Sequence, residues 1–236
     1  MTEDRRFTQP LYTVASAARL VGMPPSTLAN WAKGYEHRFP NRATVAKGPV
    51  VTAVEAPFPG GPSIPFIGLV EAMVVQAFRR TDLSLQRIRQ TLAVLADQGE
   101  LHNALASRKL YTDGAEILYD YARDVGDGQL RLLTVVRSGQ RVFHDIVDAY
   151  LQRIHFDHDP WATEIVVPVT EREILRIRPD VASGDALFMQ GGAPLSAVTS
   201  RFRAGEPAES IAEDYEVPVD DIREALGAIE STPIAA

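Results

Sequence analysis

Small and apolar residues recur at helical spacing in two short runs near the start of the chain, between residues 12 and 33. The first run follows hydroxyl residues that can cap a helix, and it stops at Gly22, a residue that tolerates positive φ. Pro24 opens the second run, in which Leu28 and Trp31 lie three positions apart and face the same side. This pattern predicts two short helices joined by a tight turn, which is the geometry of a helix-turn-helix.

The polar side of the second predicted helix has the chemistry of a DNA-reading surface. Its hydroxyl, amide and ammonium groups can bond to base edges or phosphates. A stretch with two arginines then leads into a predicted β-hairpin at residues 43–54, a wing with a lysine at its tip. The predicted DNA-binding residues are Ser26, Thr27, Asn30, Lys33, Arg38, Arg42 and Lys47. The alternative is a helical hairpin whose polar face is only solvated.

Four prolines and two glycines fall within the nine positions 57–65, so this segment is either a linker or a rigid loop. Apolar residues at helical spacing predict a helix at residues 69–78, and Ser84 can cap another helix directly after it. The apolar stripe of that second helix fits either a core helix or a short dimer seam. Its members are Leu85, Ile88, Leu92 and Leu95.

The middle of the chain mixes strand and helix signals. An Asp113-Gly114 pair between two apolar runs predicts a β-hairpin at residues 108–119. Further predictions are a strand at residues 130–136, an amphipathic helix at 142–154 and a short buried strand at 164–167. The polar group at residues 155–159 is interpreted as a loop and not as a metal site, because adjacent side chains of an extended segment point apart.

From residue 191 onward, apolar positions predict three short helices, and the last two form a second helix-turn-helix pattern around residues 216–218. The final helix carries Asp220, Asp221 and Glu224 against a single Arg223. Acidic side chains repel phosphates, so this helix is not expected in a DNA groove. It fits either a protein-interaction or dimerisation module, or a solvated structural cap.

Charge alters this picture only when it is divided along the chain. The 236 residues carry a net charge of −7, which by itself argues against nucleic acid. Residues 1–60 carry +3, residues 61–203 carry −2 and residues 204–236 carry −8, so the negative charge lies mainly in the tail. Cysteine is absent, and no leader or membrane-spanning apolar run is visible, so a cytoplasmic protein is expected.

Two segments of the first 95 residues read YTVASAARLVGMPPSTLANWAKGY and FIGLVEAMVVQAFRRTDLSLQRIRQTLAVL. They resemble the winged helix-turn-helix of MerR-type regulators. In that family a first helix, a turn, a second helix and a wing follow in this order, and two further helices come next. The resemblance implies a DNA-binding head.

The tail reads APLSAVTSRFRAGEPAESIAEDYEVPVDDIREAL and resembles the small helical domain of VapB-type antitoxins. The segment before it departs from the family, because its Thr-Arg pair is missing. The family pattern maps onto Phe202, Ala204-Gly205-Glu206, Ile211-Ala212-Glu213-Asp214-Tyr215, and Ile222 with Ala225-Leu226. This resemblance implies an antitoxin that sequesters a PIN-like ribonuclease and represses its own operon.

The predicted fold class is α+β, mainly α, in three parts. Residues 1–97 are expected to form a MerR-like winged helix-turn-helix domain. Residues 98–183 are expected to form a small mixed α/β connecting or dimerisation segment. Residues 184–236 are expected to form a three-helix interaction module.

The expected partners are operator DNA and the toxin, in a homodimer or a toxin–antitoxin hetero-oligomer, with no membrane and no cofactor. Arginines could enter the carboxylate-lined, Mg²⁺-holding toxin site that the resemblance implies, and acidic residues could meet a basic toxin surface. The candidate partner-binding residues are Arg172, Arg176, Arg178, Arg201, Arg203, Asp220, Asp221 and Glu224. The alternative is a stand-alone MerR-like regulator that senses a small molecule. An enzyme is disfavoured, because none of the GxSxG, P-loop, GxGxxG and HExxH motifs occurs.

Overall fold

The computed structural model describes residues 4–37, 45–81, 83–99, 103–124, 126, 128, 134–137, 140–143 and 145–230. It mixes helices with antiparallel sheets, as predicted for the fold class. The helices are α1 (Arg5–Thr8), α2 (Val14–Val21), α3 (Pro25–Lys33), α4 (Phe66–Arg79), α5 (Leu85–Gly99), α6 (Arg108–Asp124), α7 (Asp145–Leu151), α8 (Leu195–Arg203), α9 (Ala208–Tyr215) and α10 (Val219–Glu230). The strands are β1 (Tyr35–His37), β2 (Val45–Lys47), β3 (Thr134–Arg137), β4 (Gln140–Phe143), β5 (Ile154–His155), β6 (Glu164–Val166), β7 (Leu175–Ile177) and β8 (Ala186–Phe188).

Helices α2 and α3 form the predicted helix-turn-helix, and local sequence explains both ends of the turn. The Thr13 hydroxyl accepts a hydrogen bond from the Ser16 N–H at 3.1 Å and caps α2. Gly22 ends the helix in the left-handed region, with φ of 73°. Leu28 and Trp31 face inward from α3 and are buried. The prediction of a helix-turn-helix is confirmed.

Helix α4 is the central helix of the head and is buried along most of its length, including every residue from 66 to 75. The backbone of the preceding segment crosses it closely at Gly68, where a Cβ would lie 2.2 Å from the Thr52 carbonyl oxygen. Residues 57–65, which were expected to form either a linker or a rigid loop, form the loop. It is pinned to the head, because the Tyr12 carbonyl accepts hydrogen bonds from the Ser63 and Ile64 N–H groups at 2.9 Å.

The predicted hairpin at residues 108–119 is wrong, because these residues lie in α6. Gly114 sits inside this helix, and a Cβ there would lie 3.3 Å from the Phe143 ring. Leu110, Leu118 and Ala122 recur at helical spacing and are buried. The turn preference of an Asp-Gly pair is therefore overridden by the packing of an apolar helical face.

Two other middle predictions hold only in part. The predicted helix at 142–154 is limited to α7, because its first residues belong to β4 and its last residue to β5. Strand β4 pairs with β3, and its Phe143 packs on Phe78 of α4 with ring centroids 6.2 Å apart. Strand β3 begins at Thr134, and residues 130–133 of the predicted strand lie outside the described residues. Strand β6 lies where the buried strand was predicted.

The polar segment at residues 155–159 contacts the N-terminal helix α1. Arg6 of α1 bonds to Asp159 at 3.0 Å, and Phe7 packs edge-on against Trp161 with ring centroids 5.3 Å apart. Within the ranges that the structure describes, no group of three or more His, Asp or Glu residues is placed to hold a metal ion. No helix among these ranges is both long enough and apolar enough to span a membrane.

The second half of the chain is built on a four-stranded antiparallel sheet in the order β5-β6-β7-β8. Its inner face buries Ile165 opposite Ile177, and Leu175 opposite Phe188. Helices α8, α9 and α10 follow the last strand. Strand β8 comes after residue 183, so this sheet spans the predicted boundary between the second and third parts, and the division of the chain stays a prediction.

Candidate nucleic-acid interface

Helix α3 presents one polar stripe to solvent. Ser26, Asn30 and Lys33 are exposed at spacings of four and three residues, which place them on one helical face, and Thr27 beside them is half-buried. The opposite face is fixed in the core by Leu28, which is fully buried. The nine residues of α3 include no acidic side chain. The stripe is therefore both rigidly mounted and free of charge that would repel phosphate.

The C-terminal end of α3 is tied to the segment that follows the wing. The Trp31 carbonyl oxygen accepts hydrogen bonds from the Val50 N–H at 2.8 Å and the Val51 N–H at 3.3 Å. Both valines are buried. The Trp31 carbonyl oxygen thus links α3 to the segment that follows the wing.

A two-stranded antiparallel hairpin follows α3, but it is not the hairpin that was predicted. Strand β1 pairs with β2, with Tyr35 opposite Lys47 and His37 opposite Val45. The prediction that Lys47 forms the tip is wrong, because it lies at the base of this hairpin, beside the end of α3. The residues that follow it bond to Trp31 instead of forming a second strand. Arg38 and Arg42 lie outside the described residues.

Helix α5 contacts the base of the wing through a residue that sequence reasoning left without a role. The Arg89 guanidinium donates to the Gly48 carbonyl oxygen from Nε at 3.2 Å and from Nη2 at 3.1 Å. Ser84 caps this helix as predicted, since its hydroxyl accepts from the Arg87 N–H at 3.3 Å. In the apolar stripe predicted on α5, Ile88 is buried, as expected for a core face. The Leu95 side chain lies outside the described residues.

A buried carboxyl fixes the segment after the wing onto α4. Glu71 is only 4% exposed, and it accepts a hydrogen bond from the Thr52 N–H at 2.5 Å. Burial raises the pKa of Glu71 to about 7, although the bonds from Thr52 act in the opposite direction. The sequence signal that could have found this residue is a lone acid within an apolar run, Phe66 to Phe78.

Three of the candidate partner-binding residues bond to one another. The Arg172 guanidinium, in the loop after β6, reaches Asp221 at 2.6 Å and Glu224 at 2.7 Å on α10. The Asp221 side chain is nearly buried. Burial alone would raise the pKa of Glu224, but the hydrogen bonds from Arg172 lower it overall. This cluster fastens α10 to the sheet.

Most other candidate arginines also have carboxylate partners. Arg201 bonds to Glu206 at 2.6 Å and to Asp214 at 2.5 Å, which joins α8 to α9. The remaining pairs are Arg178 with Asp180 at 3.3 Å, Arg176 with Glu164 at 4.0 Å, and Arg223 with Asp220 at 3.5 Å. The side chain of Arg203, at the end of α8, has no hydrogen bond or ion pair to any residue in the described ranges.

The geometry of α2, α3 and the hairpin is that of a helix-turn-helix DNA-binding domain. Residues 10–92 match the protein-family profile described as "Putative DNA-binding HTH domain". The fold and this match together place the protein in the class of helix-turn-helix proteins.

Two relatives span nearly the whole chain. It is 41% identical over 231 residues to the protein named "Putative antitoxin VapB45" of Mycobacterium tuberculosis (strain ATCC 25618 / H37Rv), covering 96% of each chain. The crystal structure of Rv2018 from Mycobacterium tuberculosis superposes with a TM-score of 0.79 at 38% identity, covering 94% of this chain and 99% of that one. The chain belongs to the family of the VapB45 antitoxin.

Proposed function

We propose that this protein is the antitoxin of a type II toxin–antitoxin pair. It binds and neutralises a PIN-like ribonuclease, and it binds operator DNA to repress its own operon. The observation that carries the DNA-binding half is the exposed, acid-free polar stripe of α3 on a buried helix-turn-helix scaffold. The antitoxin half rests on the relationship to the VapB45 protein along nearly the whole chain.

In this proposal α3 is the recognition helix. Ser26, Thr27 and Asn30 lie in its first two turns, the part of a recognition helix that contacts base edges in the major groove. An Asn side chain can form two hydrogen bonds with adenine, in which its amide nitrogen donates to N7 and its amide oxygen accepts from the N6 amino group. Lys33 lies in the last turn and is placed to contact phosphate. Residues 1–60 carry a net charge of +3, which favours the approach of this part of the chain to the phosphate backbone.

The wing supplies further phosphate contacts in this proposal. Lys47 lies opposite Tyr35 at the base of the hairpin and stays a predicted phosphate contact. Arg38 and Arg42 fall between the two strands in the sequence and stay predicted DNA contacts. A homodimer is proposed because helix-turn-helix heads read paired half-sites. A monomeric mass by light scattering at micromolar concentration would contradict the dimer.

The toxin-binding surface is proposed on the second half of the chain. Arg176, Arg178, Arg203 and Asp220 have exposed or half-exposed side chains and are retained as contact residues. Arg172, Asp221 and Glu224 contribute by holding α10 in place, and Arg201 by holding α8 against α9. The tail carries −8 over residues 204–236, which suits a basic RNA-binding surface on the toxin.

The DNA half is tested by fluorescence anisotropy on the region upstream of the gene. Asn30→Ala is expected to relax sequence preference at one position of each half-site, at a cost of about 1–3 kcal/mol for the preferred base. Ala15→Ser, an exposed change on α2, is the matched control. Equal affinity of the wild type for operator and scrambled DNA would overturn the proposal.

The toxin half is tested by co-expression with the neighbouring gene. The antitoxin is expected to co-purify with the product of that gene and to suppress its ribonuclease activity. A purified protein that neither binds nor inhibits the neighbouring product would instead favour the stand-alone regulator.

A further inference from the structure

An open cleft of about 610 Å³ lies between the helix-turn-helix head and the C-terminal helices. One wall is α2, the first helix of the helix-turn-helix, and the opposite wall is α8. The turn at residues 182–185 and Ile229 of α10 complete the lining. The cleft therefore joins residues that are far apart in the sequence and that belong to the two ends of the chain.

The floor of the cleft is rigid. The Tyr12 hydroxyl donates a hydrogen bond to the Gly184 carbonyl oxygen at 2.7 Å, and Tyr12 is buried. Gly184 has a φ of 79°, and a Cβ there would lie 2.9 Å from the Tyr12 hydroxyl oxygen, so only glycine fits. Burial raises the pKa of Tyr12, which keeps the hydroxyl protonated as the donor. The two walls are thus held at a fixed spacing.

Two arginines border the cleft from opposite walls. Arg19 lies in the last turn of α2, and Arg203 lies in the last turn of α8. Neither guanidinium group has a hydrogen bond or ion pair to another residue within the described ranges, whereas the guanidinium groups of Arg172 and Arg201 each bond to two carboxylates. Guanidinium groups that have no protein partner are available to a ligand.

Among the described residues that line the cleft, Asp185 is the one carboxylate, and it is already hydrogen-bonded. Asp185 accepts hydrogen bonds from the Ala186 N–H at 2.8 Å and from the Ser196 N–H and hydroxyl at 3.3 and 2.5 Å. Its charge is therefore offset at the N-terminal end of α8, and it does not bond to either arginine. The charge left to a ligand in the cleft is positive.

The remaining lining gives both polar and apolar contacts. Thr199 lies one turn before Arg203 on α8, so its hydroxyl and the guanidinium share one face. Leu20, Leu195 and Ile229 supply apolar surface beside them. An anionic group would be held by the arginines, which favour carboxylate, sulfonate and phosphate, and an apolar body would lie on the leucines.

We propose that this cleft is a binding site for a small organic anion, a molecule that carries one anionic group on an apolar body. Its anionic group lies between Arg19 and Arg203, and its apolar body contacts Leu20 and Leu195. A ligand bound in this way contacts the DNA-binding head and the C-terminal helices at once. The proposal rests on the cleft alone and does not depend on the identity of the toxin or the operator.

The test uses 8-anilinonaphthalene-1-sulfonate, a fluorescent sulfonate with an apolar body, and the neutral N-phenyl-1-naphthylamine as its uncharged counterpart. The full-length protein is expected to bind the sulfonate saturably at one site per chain. Arg19→Met and Arg203→Met keep an unbranched apolar stem but remove the guanidinium group and its charge. Each is expected to weaken sulfonate binding by about tenfold or more, because each removes hydrogen bonds to a charged group.

The matched control is Arg223→Met, an exposed arginine on α10 that pairs with Glu209 and does not line the cleft. It is expected to leave sulfonate binding unchanged, and none of the three variants is expected to change binding of the neutral probe. Circular dichroism of each variant verifies that the fold is retained. Absence of saturable sulfonate binding, or equal affinity in wild type, Arg19→Met and Arg203→Met, would overturn the proposal.

Discussion

The molecule contains two pairs of short helices whose turns share the same backbone features, α2–α3 in the head and α9–α10 in the tail. The first helix of each ends at a residue in the left-handed region, Gly22 with φ of 73° and Glu216 with φ of 53°. The next residue bonds back in the same way, from the Met23 N–H at 2.9 Å in the head and from the Val217 N–H at 3.1 Å in the tail. In each unit a proline then precedes the second helix.

The two units differ in the side chains at matching positions of the second helix. Counting from the proline, the polar positions of α3 hold Ser26, Thr27 and Asn30, and those of α10 hold Asp220, Asp221 and Glu224. The neutral set faces solvent or is half-buried, while two of the three acids bind Arg172.

The comparison teaches that the helix-turn-helix backbone alone does not define a DNA reader. One copy leaves its second helix open and without acidic charge, and the other uses the same positions to fasten the helix to a sheet. The difference in function that we propose therefore lies in three pairs of side chains and not in the fold.

The largest expected effect comes from giving α3 the charge of α10. The double variant Ser26→Asp and Asn30→Glu is expected to weaken operator binding by more than about 100-fold, because two carboxylates would be placed against phosphates and base acceptors. Both positions are exposed, so the fold is expected to persist. Fluorescence anisotropy on the upstream DNA measures the loss.

The matched control for that variant is Asp220→Ser, which gives α10 the residue found at the corresponding position of α3. We expect it to leave DNA affinity unchanged. If the double variant still bound the operator with wild-type affinity, α3 would not be the recognition helix, and the contrast between the two units would lose its functional meaning.

A second difference is the pH at which each anchor weakens. The pKa of Glu71, in the anchor of the head, is raised to about 7 by burial, so the folded state holds a proton there that the unfolded chain loses near its ordinary pKa of 4.5. The contribution of Glu71 to stability is therefore fully present below pH 4.5 and is lost as the pH rises through about 7. The pKa of Glu224 in the tail is lowered, so its contribution is present above pH 4.5 and is lost on acidification below that value.

Glu71→Gln tests the anchor of the head. Its amide oxygen can still accept from the Thr52 N–H, but it does not titrate. The free energy of unfolding of the wild type, relative to this variant, is expected to fall by at most ~3 kcal/mol between pH 4.5 and 7. Urea unfolding at both pH values measures it. The same pH dependence in the two proteins would show that Glu71 does not carry this effect.

The sequence predicted the helices of both pairs, α2–α3 and α9–α10, because their signals are local. In each pair, a proline lies two positions after the residue that ends the first helix, as Pro24 follows Gly22. Gly22 is also suited to the left-handed region in which the first helix ends. Helix α6 was missed for the opposite reason. Its Asp113-Gly114 pair favours a turn locally, while the burial of an apolar helical face that includes Leu118 favours the helix.

The site residues show the same limit. Arg172 was selected as an arginine that could enter a toxin, yet its partners Asp221 and Glu224 lie about fifty positions further along the chain, with no periodic signal to link them. The cleft between α2 and α8 could not be predicted from the sequence either, because only the tertiary fold brings Arg19 and Arg203 to the lining of one cleft. The residue types predicted that these arginines could bind anionic groups. Tertiary packing decided which of the guanidinium groups are already paired with carboxylates.

Asp221→Ala is the sharper test of the anchor in the tail. It removes a nearly buried partner of Arg172, and we expect a loss of about 1 kcal/mol in the free energy of unfolding at pH 7, because the arginine itself stays hydrated. Amide hydrogen exchange is expected to increase first in α10. The neighbouring Asp220→Ala is the matched control, since Asp220 is exposed. Equal exchange in α10 for both variants would argue that the cluster does not hold the helix.

The smallest expected effect concerns single positive charges in the two units. Lys33→Ala removes the cation at the end of α3 and is expected to weaken operator and non-operator DNA alike, lowering the slope of log affinity against log salt concentration by about 1. Arg223→Ala removes the single cation of α10 and is expected to leave that slope unchanged, because we propose that this helix does not face DNA. The measurement is a salt titration of binding for the wild type and both variants. If the two substitutions changed the slope equally, the tail unit would also lie near phosphate, and the acidic side chains of α10 would have to face away from it.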